Sequence, residues 1–267
     1  MSPKAGVQKS IVLLLVATSF SCADGQEAKR VELPIWLDGD GLTAVTTDLG
    51  YEIQLQQVTV AVDDLRFAIA GEAHASLWRS LTKLVIPEAH AHPGHYQGGE
   101  VTGELPGHFV LRFSPDKSQE LGKATLLVGK YQSASFTFAH ATADDAGSDA
   151  SLVGQTAVLR GTATSEQGAT AFEVIIDSPP GRELVGIPFE HEVKEASNDR
   201  LVLRLLAKDP LEGDSLFDGV DFLPLDTDGD GSVEIAATAE DPDIVNAHNT
   251  IRRVFQTHDH FRIAAEP

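Results

Sequence analysis

The sequence predicts an all-β fold, a β-sandwich of mostly antiparallel strands with one or two short helices, one of them near the C-terminus. Two observations carry this prediction. Apolar and polar residues alternate along many short segments, as they do in strands that bury one face. Gly, Pro, Asp and Asn interrupt these segments at short intervals, which is typical of sandwiches and barrels.

The alternation is clearest in YEIQLQQVTVAV, residues 51–62. A segment of this kind has the length and the period of one half-buried strand. Similar patterns predict further strands at residues 108–114, 124–131, 133–140, 156–164, 171–178 and 199–207.

Helical periodicity appears in two segments. Residues 76–85, SLWRSLTKLV, place leucines on one side of a short helix. Residues 241–258 predict the C-terminal helix, with Asp243 as its N-cap. The apolar stripe of that helix would consist of Ile244, Ala247, Ile251 and Val254.

The N-terminus is typical of an export signal. Lys4 and Lys9 precede an apolar run at residues 11–20, about ten residues long, which is too short to cross a bilayer. Ser19-Phe20-Ser21-Cys22 resembles the lipobox of bacterial lipoproteins, although Ser19 stands where that motif usually has Leu. The resemblance implies cleavage before Cys22, lipidation of Cys22 and an outer-membrane anchor. The alternative is an ordinary secretory signal with an incidental cysteine.

Cys22 is the only cysteine, so an internal disulfide is excluded. The predicted organisation is a signal peptide at residues 1–21, a lipidated tether at 22–30 and an ectodomain at 31–267. A candidate internal boundary lies near residues 142–151, TADDAGSDAS. Strand segments such as GYEIQLQQVTVAVDDLRF resemble those of bacterial lipoproteins with a β-sandwich ectodomain, a resemblance that carries no functional residues across.

The chain is strongly acidic, with a formal net charge of −20. Without residues 1–21, which contain two lysines and no acid, 18 basic and 40 acidic residues leave a net charge of −22. Such a surface repels nucleic acid and attracts cations. The expected partners are therefore the membrane, through Cys22, and metal ions, with a metal transporter or receptor as a further candidate. The chain would face the periplasm or the cell surface.

A histidine cluster, EAHAHPGHYQGGE at residues 88–100, is the first candidate metal site. In an extended chain, His90 and His92 project from the same face with Cβ atoms about 7 Å apart, close enough to share one ion. The turn pair after His92 can bring His95 back toward them. Further candidate ligands are Glu88, Glu100, His258 and His260.

The ligand types at this cluster narrow the choice of metal. Imidazole and carboxylate without thiolate suit Zn²⁺ or Cu²⁺, and also Ni²⁺. The single methionine is the first residue, which excludes a thioether copper site.

The acidic loop DTDGDGSVE is the second candidate metal site. Asp226, Asp228 and Asp230 followed by a glycine resemble the first half of an EF-hand calcium loop. The resemblance implies a calcium ligand from the Ser232 carbonyl and another from Glu234. The bidentate glutamate of the EF-hand is missing, and a strand-like segment follows, so the loop predicts a structural Ca²⁺ in a β protein. A plain acidic turn is the alternative.

The residues favour no particular reaction. Gly213-Asp214-Ser215-Leu216 matches the GDSL hydrolase signature in letters, but about fifty residues follow Ser215, where that family has most of an α/β domain. We interpret the match as chance. The sequence therefore predicts a lipoprotein that captures, buffers or delivers a transition metal. The alternatives are a structural or adhesive Ca²⁺-stabilised surface module and a metal-dependent hydrolase.

Overall fold

The computed structural model describes residues 29–69 and 100–267, and the strands and helices in these ranges are as follows. The strands are β1 (Arg30–Asp38), β2 (Val45–Thr46), β3 (Glu52–Ile69), β4 (Glu100–Phe113), β5 (Ser118–Leu127), β6 (Gly129–Phe138), β7 (Ala157–Ser165), β8 (Gly168–Ile176), β9 (Glu183–Val193), β10 (Arg200–Leu205), β11 (Ser232–Ala236) and β12 (Phe261–Glu266). The α-helices are α1 (Ala143–Ala146) and α2 (Pro242–Phe255), and 3-10 turns cover Ala150–Leu152, Leu223–Leu225 and His258–His260.

The prediction of an all-β fold with mostly antiparallel strands and few helices is confirmed. All the described strands belong to one hydrogen-bonded sheet. Its parallel pairs are β1 with β10 and β8 with β11, and the other pairs are antiparallel. The short helix predicted at residues 76–85 lies outside the described residues.

The long strand β3 organises the sheet because its two halves pair with different neighbours. Its first half pairs with β7, and its second half, from Val62 to Ile69, pairs with β6. Strand β4 covers the opposite edge of β3. The partner changes between Val60 and Val62, just before an irregularity at Asp64, whose φ of 49° lies in the left-handed region. The sheet therefore branches at this point, with one branch through β7 and β8 and another through β6 and β9.

The branch through β6 and β9 bends around the core toward the end of the sheet at which β12 lies. From β3 the order is β6 and β9 on one side, and β4, β5, β1, β10 and β12 on the other. Strands β9 and β12 lie against each other and both contribute residues to one cavity, so the two ends of this ring meet. The ring encloses aromatic side chains that contact one another, namely Phe67, Tyr131, Phe136, Phe138, Phe189, Phe255 and Phe261.

The N-cap of helix α2 lies two residues earlier than the sequence suggested. Asp241, not Asp243, is the N-cap, and its Oδ1 accepts a hydrogen bond from the backbone N–H of Asp243 at 2.8 Å. Pro242 explains the shift, because it has no N–H to donate and its fixed φ suits the first helical position. The buried face consists of Ala247, His248, Ile251 and Phe255.

The segment near residues 142–151 is folded against the sheet. Helix α1 is closed by a capping box between Thr142 and Asp145. His108 of β4 bridges to this helix, with Nε2 3.2 Å from Asp145 Oδ2 and Nδ1 2.7 Å from Asp63 Oδ1. Arg160 of β7 binds Asp149, the residue before the following 3-10 turn. These contacts fix the segment between β6 and β7.

Candidate functional site

Three aspartates converge in the loop that enters β11. Asp226, Asp228 and Asp230 each offer a carboxylate oxygen, and these oxygens all lie within 4.8 Å of one another. Asp226 is half-buried and the other two are exposed. No Lys or Arg among the described residues forms an ion pair with them, so their mutual repulsion is left to solvent or to a cation.

Backbone N–H groups hold the loop in this shape. Asp226 Oδ1 accepts from the N–H of Gly229 at 2.9 Å and of Asp230 at 3.1 Å, and its Oδ2 accepts from Gly231 at 2.9 Å. Gly231 has a φ of 84°, which a residue with a Cβ adopts only under strain. The Asp-x-Asp-Gly-Asp-Gly pattern therefore produces a tight turn that directs carboxylates to one point, as calcium loops do.

The other two expected calcium ligands have different positions. Ser232 begins β11, and both its N–H and its hydroxyl donate to Asp230 Oδ1 at 2.8 Å. Glu234 lies further along β11, opposite Glu173 of β8, and does not join the group of three aspartates. A loop that runs directly into a parallel strand extends the backbone, so the ninth position moves away from the turn.

Most of the transition-metal candidates fall outside the described residues. Glu88, His90, His92 and His95 lie there, as does the lipidation candidate Cys22. Glu100 is described and is the exposed first residue of β4.

The two candidate histidines near the C-terminus, His258 and His260, have different surroundings. His258 and His260 stand in a 3-10 turn, in which residues two apart point in different directions. His260 is buried, and its Nδ1 donates to the Leu206 carbonyl at 2.9 Å. Burial lowers the pKa of His260 below its ordinary value. His258 is one-fifth exposed, with Nε2 3.2 Å from Asp259 Oδ1.

The cavity between β9 and β12 has a volume of about 530 Å³. Its polar lining comes from His191 of β9, His258, Asp209, Asp259, Arg262 and Glu190, and its apolar lining includes Leu206, Leu211, Phe261 and Ile263. Sequence reasoning missed this cavity because its walls are about seventy residues apart in the chain. Nothing local in either strand indicates that they meet.

His191 is connected to the start of β4 through one row of register partners. Glu100 pairs with Ile69, Ile69 pairs with Tyr131, and Tyr131 pairs with His191. Neighbouring strands are about 4.8 Å apart, so His191 lies roughly 14 Å from Glu100 along this row. The His191 Nε2 is 3.4 Å from Asp199 Oδ2. Ile69 and Glu100, the two residues that flank positions 70–99 in the sequence, therefore stand in the same row as His191.

His248 is a second histidine that the sequence did not single out. It lies on the buried face of α2 with no solvent exposure, and neither ring nitrogen has a hydrogen-bond partner of standard geometry among the described residues. Its pKa is lowered, chiefly by burial and then by the charge of Arg252. We interpret His248 as a histidine of the hydrophobic core that stays neutral.

Ser215 has the surroundings of a turn residue and not of a nucleophile. It is buried, and its hydroxyl donates to Asp218 Oδ1 at 2.7 Å. Its backbone N–H donates to Asp218 Oδ2 at 2.9 Å. None of its hydrogen bonds within the described part of the chain involves a histidine, which agrees with our interpretation of the Gly-Asp-Ser-Leu match as chance.

Within residues 29–69 and 100–267, no helix combines the length and the apolar character that crossing a membrane requires. Comparison of the chain with protein-family models, with curated proteins and with solved structures finds no match.

Proposed function

We propose that this chain is an exported, membrane-anchored lipoprotein that binds divalent metal ions. A Ca²⁺ ion at Asp226, Asp228 and Asp230 stabilises the fold. A transition-metal ion, Zn²⁺, Cu²⁺ or Ni²⁺, is captured through His90, His92 and His95 for buffering or delivery. Lipidation of Cys22 supplies the anchor.

The observation that carries the proposal is the convergence of the three aspartates. Carboxylate oxygens within 4.8 Å of one another are spaced for one hard cation. The loop joins directly to β11, whose first residue donates two hydrogen bonds to Asp230. An ion in the loop therefore stabilises the edge strand that follows it.

The transition-metal part of the proposal is supported by chain connectivity. His95 precedes Glu100 by five residues, so its Cα lies within about 18 Å of the Glu100 Cα. The row through Ile69 and Tyr131 places His191 within that range. His191 and Asp199 are thus candidates to complete a coordination shell that begins with the histidine cluster.

The calcium part can be tested with the full chain purified in detergent and stripped of metal. We expect added Ca²⁺ at one hundred times its Kd to stabilise the folded state by about 2.7 kcal/mol, or roughly 5–10 °C in Tm. Asp228→Asn should abolish this shift with little other change, because Asp228 accepts only one long hydrogen bond within the loop. Glu166→Gln, at an exposed turn, makes the same charge change and should leave the shift intact.

The transition-metal part has a separate measurement. Elemental analysis and calorimetric titration with Zn²⁺ and Cu²⁺ should give one tight equivalent per chain. The double variant His90→Ala/His92→Ala should lose it, whereas His74→Ala should retain it.

The two metals also separate the rival functions. A Ca²⁺ response without transition-metal binding would instead support a structural or adhesive surface module. Turnover of an ester, phosphate or peptide panel that depends on Zn²⁺ would instead support a hydrolase.

A further inference from the structure

The two ends of β3 mark two distant parts of the molecule. The first residue of the strand, Glu52, pairs with Thr164 of β7. The last residue, Ile69, pairs with Glu100 of β4 and with Tyr131 of β6. The strand contains 18 residues and a strand rises about 3.3 Å per residue, so its ends are separated by on the order of 50 Å along the strand.

The aspartate loop lies at the end where β3 begins. The hydroxyl of Tyr51, the residue before β3, accepts a hydrogen bond from the Leu223 N–H at 3.2 Å. The segments at this end are residues 47–52, 165–168 and 219–232, and they contain seven acidic residues and no lysine or arginine. Such a concentration of negative charge is repelled by the anionic surface of a phospholipid bilayer.

Strands β4 and β5 connect the other end of β3 to the start of β1, and we call this the tether end. Arg30 pairs with Leu127 there, and the Val128 N–H donates to the Lys29 carbonyl at 2.9 Å. Seven peptide bonds separate Lys29 from Cys22, so their Cα atoms are at most about 25 Å apart. An acyl chain on Cys22 therefore brings the tether end, and not the aspartate loop, close to the bilayer.

Val101 and Val128 form an exposed apolar patch at the tether end. Their exposed fractions are 52 % and 41 %. Gly103 pairs with Leu126, and the same antiparallel register, continued by two residues, places Val101 opposite Val128. Residues opposite each other in an antiparallel pair share a face, with Cβ atoms about 5 Å apart. The two valines thus lie together, beside the residue at which the chain enters the fold.

The tether end also differs in charge from the rest of the molecule. It consists of the segments 29–30, 100–101, 127–130 and 192–195. These segments contain four basic and three acidic residues, in a chain whose net charge is −20. The ion pair between Lys29 and Glu195 joins two of them. An anionic bilayer therefore repels this end less than the aspartate-loop end, and lysine and arginine side chains can reach lipid phosphates beside an apolar patch.

We propose that the tether end is a membrane-contact surface. Val101 and Val128 lie among the lipid headgroups, and the aspartate loop is directed away from the bilayer. This orientation rests on the lipid anchor at Cys22 that the proposed function includes. An acyl anchor by itself leaves the folded chain free to rotate about its tether, whereas an apolar patch beside the anchor supplies a second contact with the lipid.

Photocrosslinking to lipid tests this orientation. The photoreactive amino acid p-benzoylphenylalanine replaces Val101, Val128 or Leu49 in the full chain, which is anchored in vesicles of phosphatidylethanolamine and phosphatidylglycerol. We expect phospholipid adducts from the first two positions and only background levels from Leu49. Leu49 is the matched control, because it is 51 % exposed and lies in the turn before β3, at the aspartate-loop end.

The anchor is measured separately from the contact surface. Mass spectrometry of the peptide that contains Cys22 shows whether cells acylate it, and an unmodified Cys22 would contradict the proposed function. Because Cys22 is the only cysteine, an unacylated chain can still be anchored at the same residue by coupling to a maleimide phospholipid. The crosslinks of the coupled chain then test the contact surface on its own.

A charge substitution tests the role of the apolar patch. With the photoreactive residue at position 128, Val101→Glu should lower the yield of lipid adducts about fivefold, because it removes an apolar contact and adds a negative charge. Leu49→Glu makes a matched change at the aspartate-loop end and should leave the yield unchanged. Both side chains are exposed, so both variants should keep the wild-type Tm.

Three results would overturn the proposal. One is an equal yield of lipid adducts from Leu49 and Val101 on the anchored chain. Another is the absence of lipid adducts from both Val101 and Val128. The third is a crosslink from Val101 to residues 70–99 of the same chain in place of lipid, which would mean that this segment covers the patch.

Discussion

Arg160 and Asp149 form a bidentate ion pair, with both guanidinium-to-carboxylate distances equal to 2.7 Å. The same guanidinium also contacts Glu173 of β8 through Nε. Arg160 thus connects two adjacent strands to the segment between β6 and β7. Its hydrogen bonds to Asp149 lower the pKa of that carboxyl and raise the pKa of the guanidinium.

Replacing Arg160 with Met should destabilise the protein. Two carboxylates would then face each other without a cation, so we expect the free energy of unfolding to fall by about 2 kcal/mol. This is less than the loss expected for a fully buried ion pair, because both side chains are partly exposed. Chemical denaturation at pH 7 measures this. Lys29→Met breaks an ion pair of which both side chains are more than half exposed, and it should change stability little. Equal effects of the two variants would contradict the prediction.

The same ion pair predicts a pH dependence at the acid end. The pKa of Asp149 is depressed in the folded state, so its contribution is complete above the unfolded value of 3.8 and is lost as the pH falls through the folded pKa. Between those two values, the wild-type protein should lose stability more steeply than Arg160→Met. Denaturation curves at a series of pH values below 4.5 test this, and parallel curves would exclude it.

His248 and His260 predict a second pH dependence, near neutrality. Burial lowers both pKa values below the ordinary 6.5, so the unfolded chain takes up protons before the folded chain does. Stability should therefore be complete above pH 6.5 and fall below it, by at most about 1.4 kcal/mol per pH unit for each histidine.

His248→Phe isolates one of these contributions. The groups that influence His248 are Arg252, Asn249, Asp177 and the backbone of Ile175, and none of them is a strong counter-charge for a buried imidazolium. The variant should lose stability less steeply than the wild type between pH 6.5 and pH 5, with little change at pH 8. Thermal unfolding across this range is the measurement. If the variant and the wild type lost stability equally steeply between pH 6.5 and pH 5, protonation of His248 would not destabilise the folded state.

Local patterns in the sequence predicted the strands and the aspartate loop, because both depend on neighbouring residues. Alternation located most of β3, β7 and β8 within a few residues. It failed where the chain reverses without a strong turn signal. Residues 124–131 read as one strand, but they contain the end of β5, a reversal around Val128 and Gly129, and the start of β6. The aspartate loop was found because the whole turn lies within six consecutive residues.

The cavity could not be predicted in the same way, because long-range pairing creates it. Strand β12 lies beside β10, and β9 lies beside β6, and neither sequence indicates its partner. Strand β9 itself was not predicted, since Gly186 and Pro188 interrupt its alternation. His191 acquires its position at the cavity only through a row of pairings that spans four strands.

Gly231→Ala should impair the aspartate loop without touching a carboxylate. The φ of Gly231 is 84°, and no atom lies within 4 Å of the Cβ that alanine would add, so the cost is backbone strain alone. We expect about 1 kcal/mol of destabilisation and weaker Ca²⁺ binding, because the N–H that binds Asp226 would turn away. Gly168→Ala, at the first residue of β8, carries no such strain and is the control. Equal Ca²⁺ affinities of the Gly231→Ala and Gly168→Ala variants would exclude a role for the Gly231 conformation.

Gly161→Ala should destabilise the sheet where β3, β7 and β8 meet. An alanine Cβ at this position would lie 2.6 Å from the Gln54 carbonyl oxygen and 2.7 Å from Phe172 Cζ. The backbone oxygen belongs to β3 and cannot move without disturbing the ladder, so we expect a loss of about 1–3 kcal/mol. Gly129→Ala makes the same change where the nearest atom is at 3.6 Å, an ordinary contact, and should be tolerated. Thermal unfolding of the two variants compares them directly, and a wild-type Tm for Gly161→Ala would mean that the sheet opens to accept the methyl group.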